Sequence, residues 1–307
     1  MKSPEKTAGF KKFKTIPGIG IILAMISGFM YSLAILNLKL MSEMIPAQFL
    51  VIQALIQLGI YNPFIIYSKS HYFGEKGERI ILFFRALFGG IAKALMIYCF
   101  HWLPVADAST IYFSSPVIIS LLACLVLREP CGAHNALVLM LTIAGTMLIV
   151  RPKFIVELFQ DVDDVDNRWK GIMVGFSACL MKACSYAMAR KLKQTPPQVV
   201  AAMISTFILV VGLFQLSLHE KIQISSCGKD SILIVSSSIC MTLNQLLTTT
   251  ALQVEYAGPV SVAQSLNIVT AFLFDIFVLN TSPTWLSIFG AVSIFIGVLL
   301  TVLKKLG

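Results

Sequence analysis

The chain is a succession of near-continuous apolar runs, each about 20 residues long, parted by short polar connections. Runs of that length, wound as helices, match the ~30 Å hydrocarbon thickness of a bilayer. They predict ten spans, at 18–38, 47–67, 80–101, 105–127, 134–150, 170–189, 198–218, 231–252, 259–280 and 284–303. Two runs are interrupted by a cation near the middle: Lys93 within IILFFRALFGGIAKALMIYCF and Lys182 within GIMVGFSACLMKACSYAMA. A charge at mid-bilayer costs roughly 2.5–3.5 kcal/mol even on the lenient insertion scale, so it faces a partner or a water-filled cavity. Two such lysines predict a pocket for something negative.

Composition agrees with the pattern. Of the 307 residues, 57% are hydrophobic and 13% charged, against about a quarter charged in soluble domains. The chain reads as an all-α polytopic membrane protein. Its net charge of +9 is explained by topology rather than by nucleic acid. With the amino terminus in the cytoplasm, cytoplasmic segments hold fourteen Lys and Arg and the opposite side seven. The basic tail 1–17 and this bias orient both termini to the cytoplasm. The acidic connection 153–169 falls outside. Lys304-Lys305-Leu306-Gly307 resembles a dilysine retrieval signal, which leaves the endoplasmic reticulum and the plasma membrane as expected locations. The seven cysteines form no C-x-x-C pair, so neither disulfides nor zinc is expected.

The chain also matches itself at an offset of 151 residues: Gly20 meets Gly171, Pro46 meets Pro197 and Ala106 meets Ala257. Near the end the offset becomes 152, where Gly145 meets Gly297. Two repeats result, 18–152 and 170–304, of five spans each. An odd number of spans makes the second repeat enter the membrane from the opposite side. Inverted repeats are a transporter architecture, with the substrate site near the midplane at the repeat interface.

Particular motifs point the same way. Leu103-Pro104-Val105-Ala106-Asp107-Ala108-Ser109-Thr110, Phe113-Ser114-Ser115-Pro116-Val117, Leu127-Arg128-Glu129 and Gly145-Thr146-Met147-Leu148-Ile149-Val150-Arg151-Pro152 resemble the EamA-type repeat of the drug/metabolite transporter superfamily. Ala251-Leu252-Gln253 to Ala257-Gly258-Pro259-Val260 is similar to that family's second repeat, and the solute carrier 35 G-type branch gives the nearest likeness within it. The resemblance covers nearly the whole chain beyond the tail. It implies ten transmembrane helices in two inverted five-helix EamA repeats, a central cavity, and carriage of small organic metabolites by alternating access. It leaves the substrate open, since the superfamily handles nucleotide sugars, amino acids, phosphorylated sugars, carboxylates and drugs.

Candidate site residues come from charge and from the offset. Lys93 stands thirteen residues into its span, roughly 20 Å of rise, too deep for easy snorkelling. Arg85 lies eight residues before it, about 80° round the helix and 12 Å lower. It is either a second clamp on the same wall or a snorkelling residue. Across the offset Lys93 matches Asn244 and Lys182 matches Tyr31, so the four should share one depth. Gln245, Gln264, Asn267, Ser114 and Ser115 are further hydrogen-bonding candidates. Asp275 and Asp107 are candidates for coupling or counter-charge to the lysines, Asp107 also for a helix cap. Pro116 predicts a kink, and Gly171 with Gly175 a close helix contact.

No phosphate loop, metal-spaced cluster or nucleophilic constellation appears. No enzyme, cofactor or metal is therefore expected. The expected function is secondary transport of a small organic anion, a carboxylate such as citrate being the first candidate and a nucleotide sugar the second. The partners would be that anion and the bilayer, with no nucleic acid, and a homodimer is compatible with this reading. The rival is a non-transporting membrane scaffold, in which both lysines would be ion-paired in a dry interior.

Overall fold

The computed structural model describes residues 18–41, 46–103, 108, 111–129, 132–150, 165–217, 228–280, 282 and 284–306. Its described elements are helices: α1 (Ile19–Lys39), α2 (Pro46–Tyr67), α3 (Arg79–Trp102), α4 (Ser115–Leu127), α5 (Ala133–Val150), α6 (Val165–Lys191), α7 (Pro197–Ser217), α8 (Lys229–Val254), α9 (Ala257–Gln264), α10 (Leu266–Phe277) and α11 (Trp285–Leu306). Eight helices among the described residues are long and apolar enough to cross a membrane, α9 and α10 counting together as Ala257–Phe277. The other two predicted segments are α3, which carries Arg79, Arg85 and Lys93, and the shorter apolar Ile111–Leu127. Large apolar side chains such as Ile66, Leu125, Phe277 and Trp285 stand exposed on the outer faces, as lipid contact requires. This is a multi-pass integral membrane protein.

Local chemistry sets the helix ends. Pro46 and Pro197, matched at the offset, each open a helix, where the missing N–H would have no partner anyway. Glu78 precedes α3 and accepts the backbone N–H groups of Lys193, Gln194 and Thr195 and the Thr195 hydroxyl, fixing the α6–α7 turn to it.

Packing follows the offset as well. α3 lies along α6 and α1 along α8, while α2 packs on α7 and α5 on α11. Under the 151-residue shift the first two pairs exchange places and the last two map onto themselves. Matched glycines make matched contacts. A Cβ on Gly171 would meet Leu103 at 2.6 Å, and one on Gly20 would collide with Glu255, the residue 152 positions after Leu103. Gly145 abuts Gly290 and Ile294, and Gly297 abuts Val138 and Thr142, again 152 positions apart. Small residues at these points let backbones approach where lipid supplies no hydrophobic drive to association. A core around Tyr61, Leu82, Leu192, Val199, Val200 and Ile204 joins α2, α3 and α7, with the Tyr61 hydroxyl donating to Thr242 O at 2.7 Å.

One expectation is corrected. Cys124 is disulfide-bonded, whereas cysteine spacing predicted no bridge; its partner lies outside the described residues. Spacing rules register C-x-x-C pairs and miss a bridge between cysteines set further apart.

Candidate functional site

Two spans are broken, at positions 151 residues apart. Ser114 separates Ile111–Phe113 from α4, and Ser265 separates α9 from α10. At each break the backbone hydrogen bond closes one residue early: Val117 N–H donates to Ser114 O at 3.1 Å and Ile268 N–H to Ser265 O at 3.0 Å. Such short i→i−3 stretches inside a helix mark sites of strain or function. The predicted kink is therefore present but displaced to Ser114, because Pro116 sits in the first turn of the new helix, where proline is tolerated. The break at Ser265 has no proline and was not expected.

Each break is covered by the span that packs on it. Gly28 on α1 faces the second break so closely that a Cβ would lie 3.0 Å from Gln264 O and 3.3 Å from Asn267 N. At the matched position on α6, Cys179 donates its thiol to Ile111 O at 3.2 Å. Ser32, one turn beyond Gly28, donates to Asn267 O at 2.6 Å.

Between the two breaks lies a cavity of about 50 Å³, bordered by Tyr31, Tyr112, Phe113, Ser115, Lys182, Tyr186, Asn244, Gln264 and Asn267 among others. Lys182 Nζ donates to Ser115 Oγ at 2.9 Å and lies 3.9 Å from the centroid of the Tyr112 ring, within cation–π range. Tyr31 stacks on Tyr112 with centroids 6.4 Å apart. A hydrogen-bonded chain crosses the site. Tyr186 donates to Gln264 Oε1 at 2.8 Å, Gln264 Nε2 to Thr248 at 2.6 Å, and Thr248 to Asn244 Oδ1 at 3.2 Å. The space would hold a water or two, well below the volume of a metabolite pocket.

The predicted residues divide. Tyr31, Lys182 and Asn244 come together at the cavity, with Ser115, Gln264 and Asn267. Lys93 shares their level, since Leu103 abuts Gly171, Cys99 abuts Gly175 and Gly89 abuts Ser185 along the antiparallel α3–α6 pair. It stands outside the cavity lining, half-buried. Among the described residues Lys93 makes no hydrogen bond or ion pair, and Lys182 has no carboxylate partner. Arg85 neither snorkels nor reaches the cavity. It is 5% exposed, donates to Ser185 Oγ, and lies 5.7 Å from the Tyr186 ring centroid. Asp275 is paired with Lys39 at 2.6 Å rather than with Lys93 or Lys182. Asp107 lies outside the described residues. Gln245 bonds Ala201 O and Ser205 between helices.

Sequence reasoning missed Tyr112 and Tyr186, neither of which it singled out. The available signal was spacing: Tyr186 is four residues after Lys182 and shares its helix face. A larger cavity, about 500 Å³, opens between α4, α5, α9 and α11 beside Glu129, His134, Tyr256 and Lys304. It is mostly apolar and contains none of the predicted site residues.

Comparison with known proteins covers nearly all of this architecture. The model of the EamA-like transporter family matches residues 18–151 and 169–303. Solute carrier family 35 member G1 of Homo sapiens is 30% identical over 92% of this chain and 79% of its own. A membrane protein of Saccharomyces cerevisiae is 25% identical over 91% of this chain and 73% of its own. A solved crystal structure superposes with a TM-score of 0.79 at 12% identity, covering 94% of this chain and 98% of that one, a likeness of fold alone.

Proposed function

This chain belongs to the EamA-like transporter family, on the solute carrier 35 branch of the drug/metabolite superfamily, and on that premise we propose that it is a secondary transporter of a small organic anion. Membership makes it a membrane transporter of small metabolites; the sign of the cargo is our reading of the site. We propose further that its spans number ten, in two inverted five-helix repeats, with both termini cytoplasmic, and that it works by alternating access.

One observation carries the choice of an anion. Lys182 stands eight residues short of Arg190 in the last turn of α6, deep in its helix, at the meeting of two broken spans, with Ser115 and an aromatic ring as partners and no carboxylate. An ammonium held this way lacks a counter-charge that a carboxylate cargo supplies. Tyr31, Asn244 and Gln264 would orient it. A compact carboxylate such as citrate is the first candidate and a nucleotide sugar the second. The scaffold alternative needs both lysines ion-paired, and the described residues offer neither lysine a carboxylate.

The test is uptake of a panel of labelled anions into proteoliposomes, with Lys182→Ala and Lys93→Ala beside the parent. A lost charge-assisted hydrogen bond is worth roughly 1.5–3 kcal/mol, so Lys182→Ala should raise KM about tenfold to a hundredfold. Unchanged uptake in both variants would remove the anion site, and no uptake by the parent would return weight to the scaffold.

A further inference from the structure

Two ion pairs join the helices that form the cavity walls, and their cations are matched at the offset. Lys39, in the last turn of α1, is paired with Asp275 of α10 at 2.6 Å. Arg190, 151 residues on and in the last turn of α6, has its Nε 3.5 Å from Glu129, two residues beyond α4. α1 and α6 are counterparts, as are the two broken spans. The acids are not at matched positions, so the pairing recurs by place in the fold rather than by sequence identity.

The pairs stand at opposite ends of the molecule. Gly20, near the start of α1, abuts Glu255, two residues before Ala257, whose N–H donates to Glu129 at 3.0 Å. Lys39 is nineteen residues further along α1 than Gly20, about 28 Å at 1.5 Å per residue. The cavity residues Gly28 and Tyr31 fall between them on α1, as Ser261 to Asn267 do between Ala257 and Asp275. To enlarge a 50 Å³ space toward one end, α1 must part from α10. Toward the other, α6 must part from α4.

We infer that Lys39–Asp275 and Arg190–Glu129 are the two gates of the transport path, broken alternately as the carrier opens to each side. The inference rests on the transport reading given above. The gates are unequal. The Lys39 and Asp275 side chains are 44% and 32% exposed, against 17% and 7% for Arg190 and Glu129. Glu129 also accepts the N–H groups of Ala257 and Gly258, and Arg190 lies 5.0 Å from the Tyr256 ring centroid. The Glu129 mouth is thus held by more ties.

The experiment reads which side reaches the cavity, without any cargo. Asn244→Cys, in a chain whose unbridged cysteines are replaced by alanine and whose Cys124 bridge is kept, is labelled with a membrane-impermeant maleimide in right-side-out and in inside-out vesicles. Arg190→Gln or Glu129→Gln should speed labelling several-fold from the Glu129 face and slow it from the other. Lys39→Gln or Asp275→Asn should do the reverse. Arg190→Lys, and the exchange Lys39→Asp with Asp275→Lys, should return rates toward the parent and exclude simple misfolding. Variants of both pairs acting on the same face, no change in either, or no rescue by the exchange would overturn the gates. Sided labelling without uptake of any anion leaves the gates standing and removes the anion. Uptake with labelling unmoved does the opposite.

Discussion

The site turns on single residues whose depth, rather than identity, gave them away. Lys182, Tyr31 and Asn244 border one cavity, and the sequence could bring them together because the offset assigns matched residues one depth, which is what a midplane site would need. Arg85 lies away from the cavity for a physical reason: rise and angle along a helix do not say which neighbour covers that face, and here α6 does, through Ser185 and Tyr186. Glycines can be ranked on the same footing. A Cβ on Gly145 would lie 2.6 Å from the backbone oxygen of Gly290, and one on Gly59 would meet nothing within 4 Å. Backbone cannot rotate aside, so Gly145→Ala should cost about 1–3 kcal/mol as overpacking. Gly59→Ala should gain up to ~1 kcal/mol in helix propensity. Thermal unfolding of the detergent-solubilised variants checks the order; equal midpoints would contradict the α5–α11 contact.

Among elements, the broken spans separate what sequence can and cannot carry. Helix existence followed from apolar runs, and the first break was signalled by Pro116. The second break, at Ser265, is approached closely by α1 at Gly28, and it has no proline to announce it, only a serine whose hydroxyl bonds back to Ser261 O, a signal too common in helices to be read from sequence. The loop after α4 carries a pH consequence. Burial pushes the Glu129 carboxyl above the usual carboxylate range, against the N–H groups of Ala257 and Gly258 and the Arg190 charge, with Glu255 adding to the rise. His134 and Lys304 border the same cavity. A raised acid binds its proton sooner on acidification, and the folded state loses no stability in doing so, because the ionised form is the disfavoured one. What is lost is the attraction to Arg190. Labelling of Asn244→Cys from the Glu129 face should therefore quicken at a pH above the ordinary carboxylate range, and Glu129→Gln should abolish that dependence.

For the whole molecule, membrane class and family were legible from periodicity, composition and motif, since each is spread over many residues. The way the halves interlock was not, because it depends on contacts between distant spans: α3 lies on α6 and α1 on α8, so each half's first and third spans are completed by the other. Neither half should fold alone. Residues 1–160 and 161–307 expressed separately should be degraded, and expressed together should recover uptake; a stable single half would count against the interlock. The inequality of the two ion pairs has a kinetic consequence. An exposed pair is screened by salt far more than a buried one, so a resting carrier would stand open at the Lys39 end more often than at the other. Such a carrier rectifies: its half-saturating cargo concentration differs on the two faces of the membrane, and ionic strength on the Lys39 side alone would tune that difference.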